Sequence, residues 1–235
     1  MKPPPRDVRS GDAIRHPVIP PATLTVVYPR SMTMRAAWLL DQNLIAGLLP
    51  PRPLNSHKGS FGGVGILGGA ESMAGAPLLA GRAALKLGAG RVYVSHLAEG
   101  APAFDPQQPE LMLRPPARLF ELAEPGALSC IVAGPGLGRS AAAGDWLAQA
   151  LRAERPLVLD ADALNLIGAS PELQALTQQR GAATLMTPHP AEAARLVGAA
   201  TRDVLYQRVE VASMIAARFN AFVALKRVGT VCAMP

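Results

Sequence analysis

The chain is poor in the residues that mark several protein classes. It holds two cysteines in 235 residues, Cys130 and Cys232. Two cysteines cannot build the dense disulfide framework of a small secreted domain. Neither has a second Cys or a His at ligand spacing, which argues against a zinc site through them. Both lie in strand-like runs, "LSCIVAG" and "TVCAM", and read as small buried hydrophobes in a reducing compartment. Aromatic residues make up only 4% of the chain, so an aliphatic core is expected. No apolar run reaches the roughly 18 residues that cross a bilayer. Residues 1–31 have no apolar signal core, and the reading is therefore cytoplasmic with no membrane partner. The net charge of +6 is unevenly placed, with +4 in residues 1–35 and only +2 in the remainder. A near-neutral body argues against a nucleic-acid groove.

What is present is alternation. The length suits one α/β domain. Residues 1–31 hold seven prolines and no steady period, and read as a disordered or loosely attached tail. Met32 and Met34 precede a helical stretch over residues 34–49, so translation could begin there; "PPRPLN" then breaks the chain. From there, strand-like runs at 64–68, 91–95, 128–133, 156–160, 183–187 and 222–226 alternate with helix-like runs. The helix-like runs are 75–87, 117–123, 141–152, 171–179, 191–197 and 201–219. The strands are short and almost wholly apolar, as strands buried on both faces are. This pattern predicts a mainly parallel sheet with helices on both faces, in one domain over residues 32–235. Ligands of such a fold bind beyond the carboxyl ends of the strands.

The strand ends are unusual. Seven glycines fall in residues 57–76, "HKGSFGGVGILGGAESMAGA". A dinucleotide fingerprint needs G-x-G-x-x-G between strand and helix, but Gly63-Val64-Gly65 precedes or lies within the strand. A P-loop needs Gly-Lys-Ser/Thr, which is absent. Gly68-Gly69 and Gly75-Ala76 leave two readings open, a ligand lying against helix amides or tight helix–sheet packing. After the third strand, "AGPGLGRS" places Gly134, Gly136 and Gly138 in a turn that could form an anion nest. After the fourth, Asp160 ends the strand, where a carboxylate is costly unless paired or wet. Asp162 reads as the N-cap of a short helix holding Asn165. After the fifth, "TPHPAE" fixes His189 between two prolines with Glu192 in the next helix's first turn. Lys226 closes the sixth strand before the Gly229-Thr230 turn.

In order and spacing, "SHKGSFGGVGILGGAESMAGAPLLAGRAALKLGAGRVYVS", "PELML", "VAGPGLG", "LVLDADALNLI", "LMTPHPAEAARLVG" and "ALKRVGT" are similar to the ADP-dependent NAD(P)H-hydrate dehydratases, in the ribokinase-like superfamily. The resemblance covers residues 36–235. It implies a three-layer αβα fold and a repair lyase. The enzyme would restore hydrated NADH or NADPH by phosphorylating the added hydroxyl from ADP or ATP and then eliminating phosphate. On this resemblance, Ala76, Gly136, Gly138 and His189 contact the substrate, and the glycines of residues 57–76 let it lie against the backbone. Lys226, Arg227, Val228, Gly229 and Thr230 lie beside the adenine nucleotide. Asp160, Asn165 and Glu192 form a polar floor for Mg²⁺ or water. An NAD(P)H-hydrate epimerase is the implied functional partner, and a homo-oligomer is compatible with it.

Two departures stand out. The family's lysine turn reads Lys-Gly-x-x-Thr, whereas Arg227 occupies the Gly position, and an arginine there resists positive φ. The Gly-rich, aspartate-bearing segment expected next would lie beyond Pro235, along with helices that cover the sheet. The expectation is therefore a domain incomplete at its C-terminus, with little or no turnover by these 235 residues. Two other readings remain: a ribokinase-like kinase of a small alcohol or vitamin precursor, and a truncated non-catalytic nucleotide-binding protein. A kinase would accumulate phosphoester, whereas a dehydratase restores the absorbance of reduced nicotinamide.

Overall fold

A computed structural model describes residues 39–46, 51–122 and 127–235. The expected tail, the Met32 and Met34 starts and the 31/32 boundary lie outside the described residues. The chain divides into two units, Met1–Arg52 and Pro53–Pro235. In the first, the described residues carry one short helix, α1 (Gln42–Ala46). The second unit contains everything below.

Its sheet has eight strands: β1 (Gly63–Gly68), β2 (Arg91–His96), β3 (Met112–Leu113), β4 (Cys130–Ala133), β5 (Leu157–Leu159), β6 (Thr184–Met186), β7 (Phe222–Leu225) and β8 (Val231–Ala233). The order is β3-β2-β1-β4-β5-β6-β7-β8, and every pairing is parallel except β7 with β8. The helices are α2 (Gly75–Lys86), α3 (Pro116–Phe120), α4 (Ala141–Arg152), α5 (Ala161–Ala169), α6 (Pro171–Gln178), α7 (Pro190–Val197), α8 (Thr201–Tyr206) and α9 (Arg208–Phe219). This is the three-layer α/β architecture that the alternation implies.

Side chains alternate across a strand, so neighbours such as Ile66 and Leu67 face opposite ways. Ile66, Val92 and Val94 pack with Leu111 and with Leu78, Ala80, Ala84 and Leu85 of α2. Leu67, Ile131, Leu159, Met186, Val223 and Leu225 face the other way, into a larger core with Leu119 of α3, Leu147 of α4, Leu164 of α5 and Ile215 of α9. The chain thus steps from β1 to β2 through α2 on one face, then returns past β1 to β4 and builds outward. The strand order reverses between β1 and β4, a topological switch point.

Three features differ from the sequence reading. The two-residue β3 was not expected, because a ladder that short leaves no period. The 201–219 run is two helices, parted at Gln207 with φ −121° and ψ 46°, although no Gly or Pro marks the break. The glycines of residues 57–76 also do not act together. Gly62 and Gly63 lie at the amino end of β1, where a Gly63 Cβ would stand 1.8 Å from the Ala127 carbonyl oxygen. Those two serve packing at the end of the sheet opposite the strands' carboxyl edge.

Arg180 is 7% exposed and shows how the core tolerates a charge. Its guanidinium donates to the carbonyls of Ala150, Leu151, Ala153 and Arg155 and to the Thr184 hydroxyl. The first three carbonyls belong to the last turn of α4 and its C-cap, where a helix runs out of amide donors, and among them Ala150 O also accepts the Ala153 N–H at 3.3 Å.

Candidate functional site

The loops after β1 and β4 meet at the switch point and bond to each other through backbone alone. Gly69 N–H donates to Pro135 O at 3.1 Å, and Ala70 N–H to Gly136 O at 2.7 Å. A Cβ on Gly68 would stand 2.0 Å from Pro135 O, so glycine is the residue that lets these strands' ends close. Gly136 has φ +59°; its Cβ would lie 2.8 Å from Met73 O and 3.1 Å from the Ala76 methyl. Ala76 and Gly136 are therefore neighbours. Open space surrounds Gly75, the first residue of α2. The buried His96, at the end of β2, sits 3.0 Å through Nε2 from Ala74 O and braces that helix start. Sequence reasoning missed His96, since a lone histidine ending an apolar strand carries no pattern.

The same edge continues through β5, β6 and β7. Asp160 N–H donates to Ala133 O at 3.1 Å, Thr187 N–H to Leu159 O at 3.0 Å, and Lys226 N–H to Pro188 O at 2.8 Å. The Asp160 carboxylate answers the question its position raised. Its Oδ1 accepts from Lys226 Nζ at 2.5 Å and from the Thr187 hydroxyl at 2.8 Å. This carboxylate caps no helix. α5 begins beside Asp160 without a side-chain cap bond, because the carboxylate turns to Lys226 instead. Asp162 is not the N-cap either, as the sequence reading had it; it lies inside the first turn of α5. Among the described residues, three non-glycines have positive φ: Ser72, Ala161 and Asn220. Two of them lie just past strands, Ser72 (+64°) in the loop after β1 and Ala161 (+48°) at the first position of α5 after β5, at an edge where strain tends to collect.

His189 is the N-cap of α7. Its Nδ1 accepts from Ala191 N–H at 3.1 Å and Glu192 N–H at 3.4 Å. Glu192 reaches back, with Oε2 accepting from His189 N–H at 2.8 Å, and completes a capping box. The imidazole thus has a structural task that the sequence did not reveal. Nδ1 is committed as an acceptor, so the proton of the neutral ring sits on Nε2, 3.1 Å from Glu192 Oε1. The ring remains 48% exposed and able to meet a ligand, while Glu192 is 5% exposed.

The three residues expected to form a polar floor each have a partner of their own. Asp160 is paired with Lys226, Glu192 with His189, and Asn165 accepts from Arg195 Nη1 at 2.8 Å. Among the described residues, no group of three or more His, Cys, Asp or Glu is set to hold a metal ion. These side chains do not fit a protein-built magnesium cage.

The lysine turn is better formed than the sequence suggested. Its left-handed residue is Gly229, with φ +68°, and Arg227 is not among the positive-φ residues. The expected strain at Arg227 is thereby overturned, because the turn takes its glycine two positions later. Arg208, the first residue of α9, donates to the carbonyls of Val228 and Gly229 and holds the turn. Thr230 Oγ1 lies 3.5 Å from Arg227 O.

A mainly parallel sheet whose loops join at its switch point defines an α/β fold of the doubly wound kind. It is the ribokinase-like one: a ribokinase-like superfamily protein of Enterococcus faecalis superposes with a TM-score of 0.68 at 21% identity, over 86% of this chain and 72% of that one. The chain belongs to the NAD(P)H-hydrate dehydratase family, whose model matches residues 64–235. The ADP-dependent (S)-NAD(P)H-hydrate dehydratase of Neisseria meningitidis is 40% identical over 188 residues, covering 78% of this chain and 62% of that protein. The bifunctional NAD(P)H-hydrate repair enzyme Nnr of Coxiella burnetii is 38% identical over 194 residues, covering 82% of this chain and 38% of that protein. The ADP/ATP-dependent dehydratase of Bacillus subtilis, crystallised with ATP/Mg²⁺, superposes with a TM-score of 0.69 at 29% identity, over 82% and 68% of the two chains. The chain thus spans 62% of the length of the Neisseria relative and 38% of that of the Coxiella relative, less than two thirds of either.

Proposed function

We propose that this chain serves the nucleotide-dependent dehydration of (S)-NAD(P)H hydrate to NAD(P)H, a metabolite-repair reaction of the lyase class that uses ADP or ATP. The observation that carries the reading is the unbroken backbone seam along the carboxyl edge. It runs from Gly69 through Pro135, Asp160 and Thr187 to Pro188 and Lys226. That seam supports reading Ala76, Gly136 and His189 as substrate contacts and the Lys226–Thr230 turn as the nucleotide contact. Gly138 and the residues Arg227 and Val228 complete those two groups as the family resemblance assigns them.

The chemistry asks for positioning. Hydroxide leaves a ring carbon poorly and phosphate leaves it well, so phosphorylation of the added hydroxyl precedes elimination. Lys226 offers a fixed positive charge to nucleotide phosphates, and Asp160 holds its ammonium in place until they arrive. The half-exposed His189 ring offers its outer edge to the substrate as a packing surface, since its Nε2–H is turned to Glu192. Any Mg²⁺ is proposed to come with the nucleotide, whose phosphates supply most of its ligands. The setting proposed is the cytoplasm, with an NAD(P)H-hydrate epimerase as functional partner.

Calorimetric titration of the chain with NADPH and with ADP tests this. Lys226→Ala is expected to weaken ADP by about tenfold and leave NADPH within about twofold. His189→Asn keeps a good N-cap but removes the imidazole, and is expected to weaken NADPH alone. A chain that binds neither ligand would overturn the proposal.

A further inference from the structure

The Gly136–Gly138 turn has the look of an anion nest, yet a carboxylate stands behind it. Asp162 Oδ2 accepts the Gly138 N–H at 3.0 Å, from a residue 24 positions away. The Asp162 side chain is 18% exposed, and Arg139 Nε stands 3.7 Å from its Oδ1. The same Oδ1 faces Asn165 Nδ2 at 3.4 Å. Asn165 then accepts from Arg195, which lies on α7, the helix that His189 caps. A polar relay therefore runs from the turn through α5 to the His189 element.

The amides of the turn can be followed one by one. Pro135 has no N–H, Leu137 N–H bonds to Gly134 O at 3.0 Å, and Gly138 N–H bonds to Asp162. Gly136 N–H is the turn amide left without an acceptor among the described residues. One free amide with a carboxylate behind it is a poor seat for phosphate. The nearby anion repels a second one, and Arg139, 62% exposed, offsets this only weakly.

We infer that Asp162 is a positioning residue of the substrate pocket: it withdraws the Gly138 amide from anion binding and ties the turn to α7. The turn then receives an uncharged part of the substrate, the carboxamide or the hydroxyl-bearing ring, and the phosphates lie elsewhere. This rests on the function proposed above and names the portion of the substrate that the turn reads.

The test titrates the chain and its variants with NADPH, ADP and inorganic phosphate. Asp162→Ala is expected to weaken NADPH by about tenfold and leave ADP unchanged within about twofold. Asp162→Asn keeps an acceptor oxygen; it is expected to return NADPH affinity to within about threefold of the parent and to gain no phosphate binding. Arg195→Gln alters the exposed far end of the relay with Asp162 intact, and stands in should Asp162→Ala not fold. It is expected to weaken NADPH by about threefold and spare ADP. The inference is overturned if NADPH affinity is indifferent to Asp162→Ala and Arg195→Gln, or if Asp162→Asn strengthens phosphate or ADP, which would mark a nest held shut by charge. A parent chain that binds neither NADPH nor ADP brings down the functional reading itself. A parent that binds both, with indifferent variants, brings down this inference alone.

Discussion

At Gly68 a single methyl group would meet the Pro135 carbonyl at 2.0 Å, and that contact joins the two central loops. Neither partner is a flexible side chain tip, so the backbone would have to move. Gly68→Ala is expected to cost about 1–3 kcal/mol or more, read as a lowered urea midpoint at unchanged slope. An unchanged midpoint would show that the loops separate freely. Residue types told part of this story in advance. The cost of a carboxylate ending a buried strand pointed to a partner for Asp160, and Lys226 supplies it. Asp162 misled, because its place at the start of "DALN" fits an N-cap while its actual acceptor role depends on Gly138, far away in sequence. His189 was singled out by its two prolines, but its cap bonds are local backbone geometry that the prolines only permit.

Elements were read well where burial sets the period and poorly where it does not. α4 spans the residues expected of it, with Ser140 accepting from Ala143 N–H at 3.2 Å and an apolar stripe through Leu147 and Leu151. β3 and the Gln207 break were not legible, because a two-residue ladder and a helix kink without Gly or Pro depend on tertiary packing. The loop between β2 and β3 shows what such packing provides. Arg82 of α2 forks onto Asp105, Nε to Oδ2 and Nη2 to Oδ1 both at 2.7 Å, and Nη1 reaches Gln107 Oε1 at 2.7 Å. The hydrogen-bonding Arg82 guanidinium holds the Asp105 carboxyl below the usual carboxylate range against the opposing effect of burial, and the Gln107 N–H assists. A carboxyl lowered on folding stabilises above its unfolded value of about 3.9, and that stability is lost as pH falls through the lower folded value. Asp105→Asn is therefore expected to be less stable than the parent by a constant margin from about pH 6 to 8, and the margin should close below about pH 4. Urea unfolding across that range checks it; a margin that persists in acid would assign the effect to packing alone.

On the scale of the molecule, the mainly parallel sheet followed from alternation, since a sheet buried on both faces needs apolar strands and crossover helices. What alternation could not show was how the helices divide. α2 packs against the β1–β2 side of one face, while α3 to α9 share the larger core on the other. A ligand seated at the reversal touches loops that anchor both layers. NADPH at about 100 times its dissociation constant is expected to raise unfolding stability by about 2.7 kcal/mol in a single transition. A transition that splits, or does not move, would mean the ligand grips only a local segment. The seam between the β1 and β4 loops is made of main-chain groups throughout. Such wiring does not record which side chains hang from it. Substitutions at the exposed Glu71 can therefore accumulate over generations without disturbing the meeting of Ala76 and Gly136, and the shape of this junction would outlast much of the spelling that encodes it.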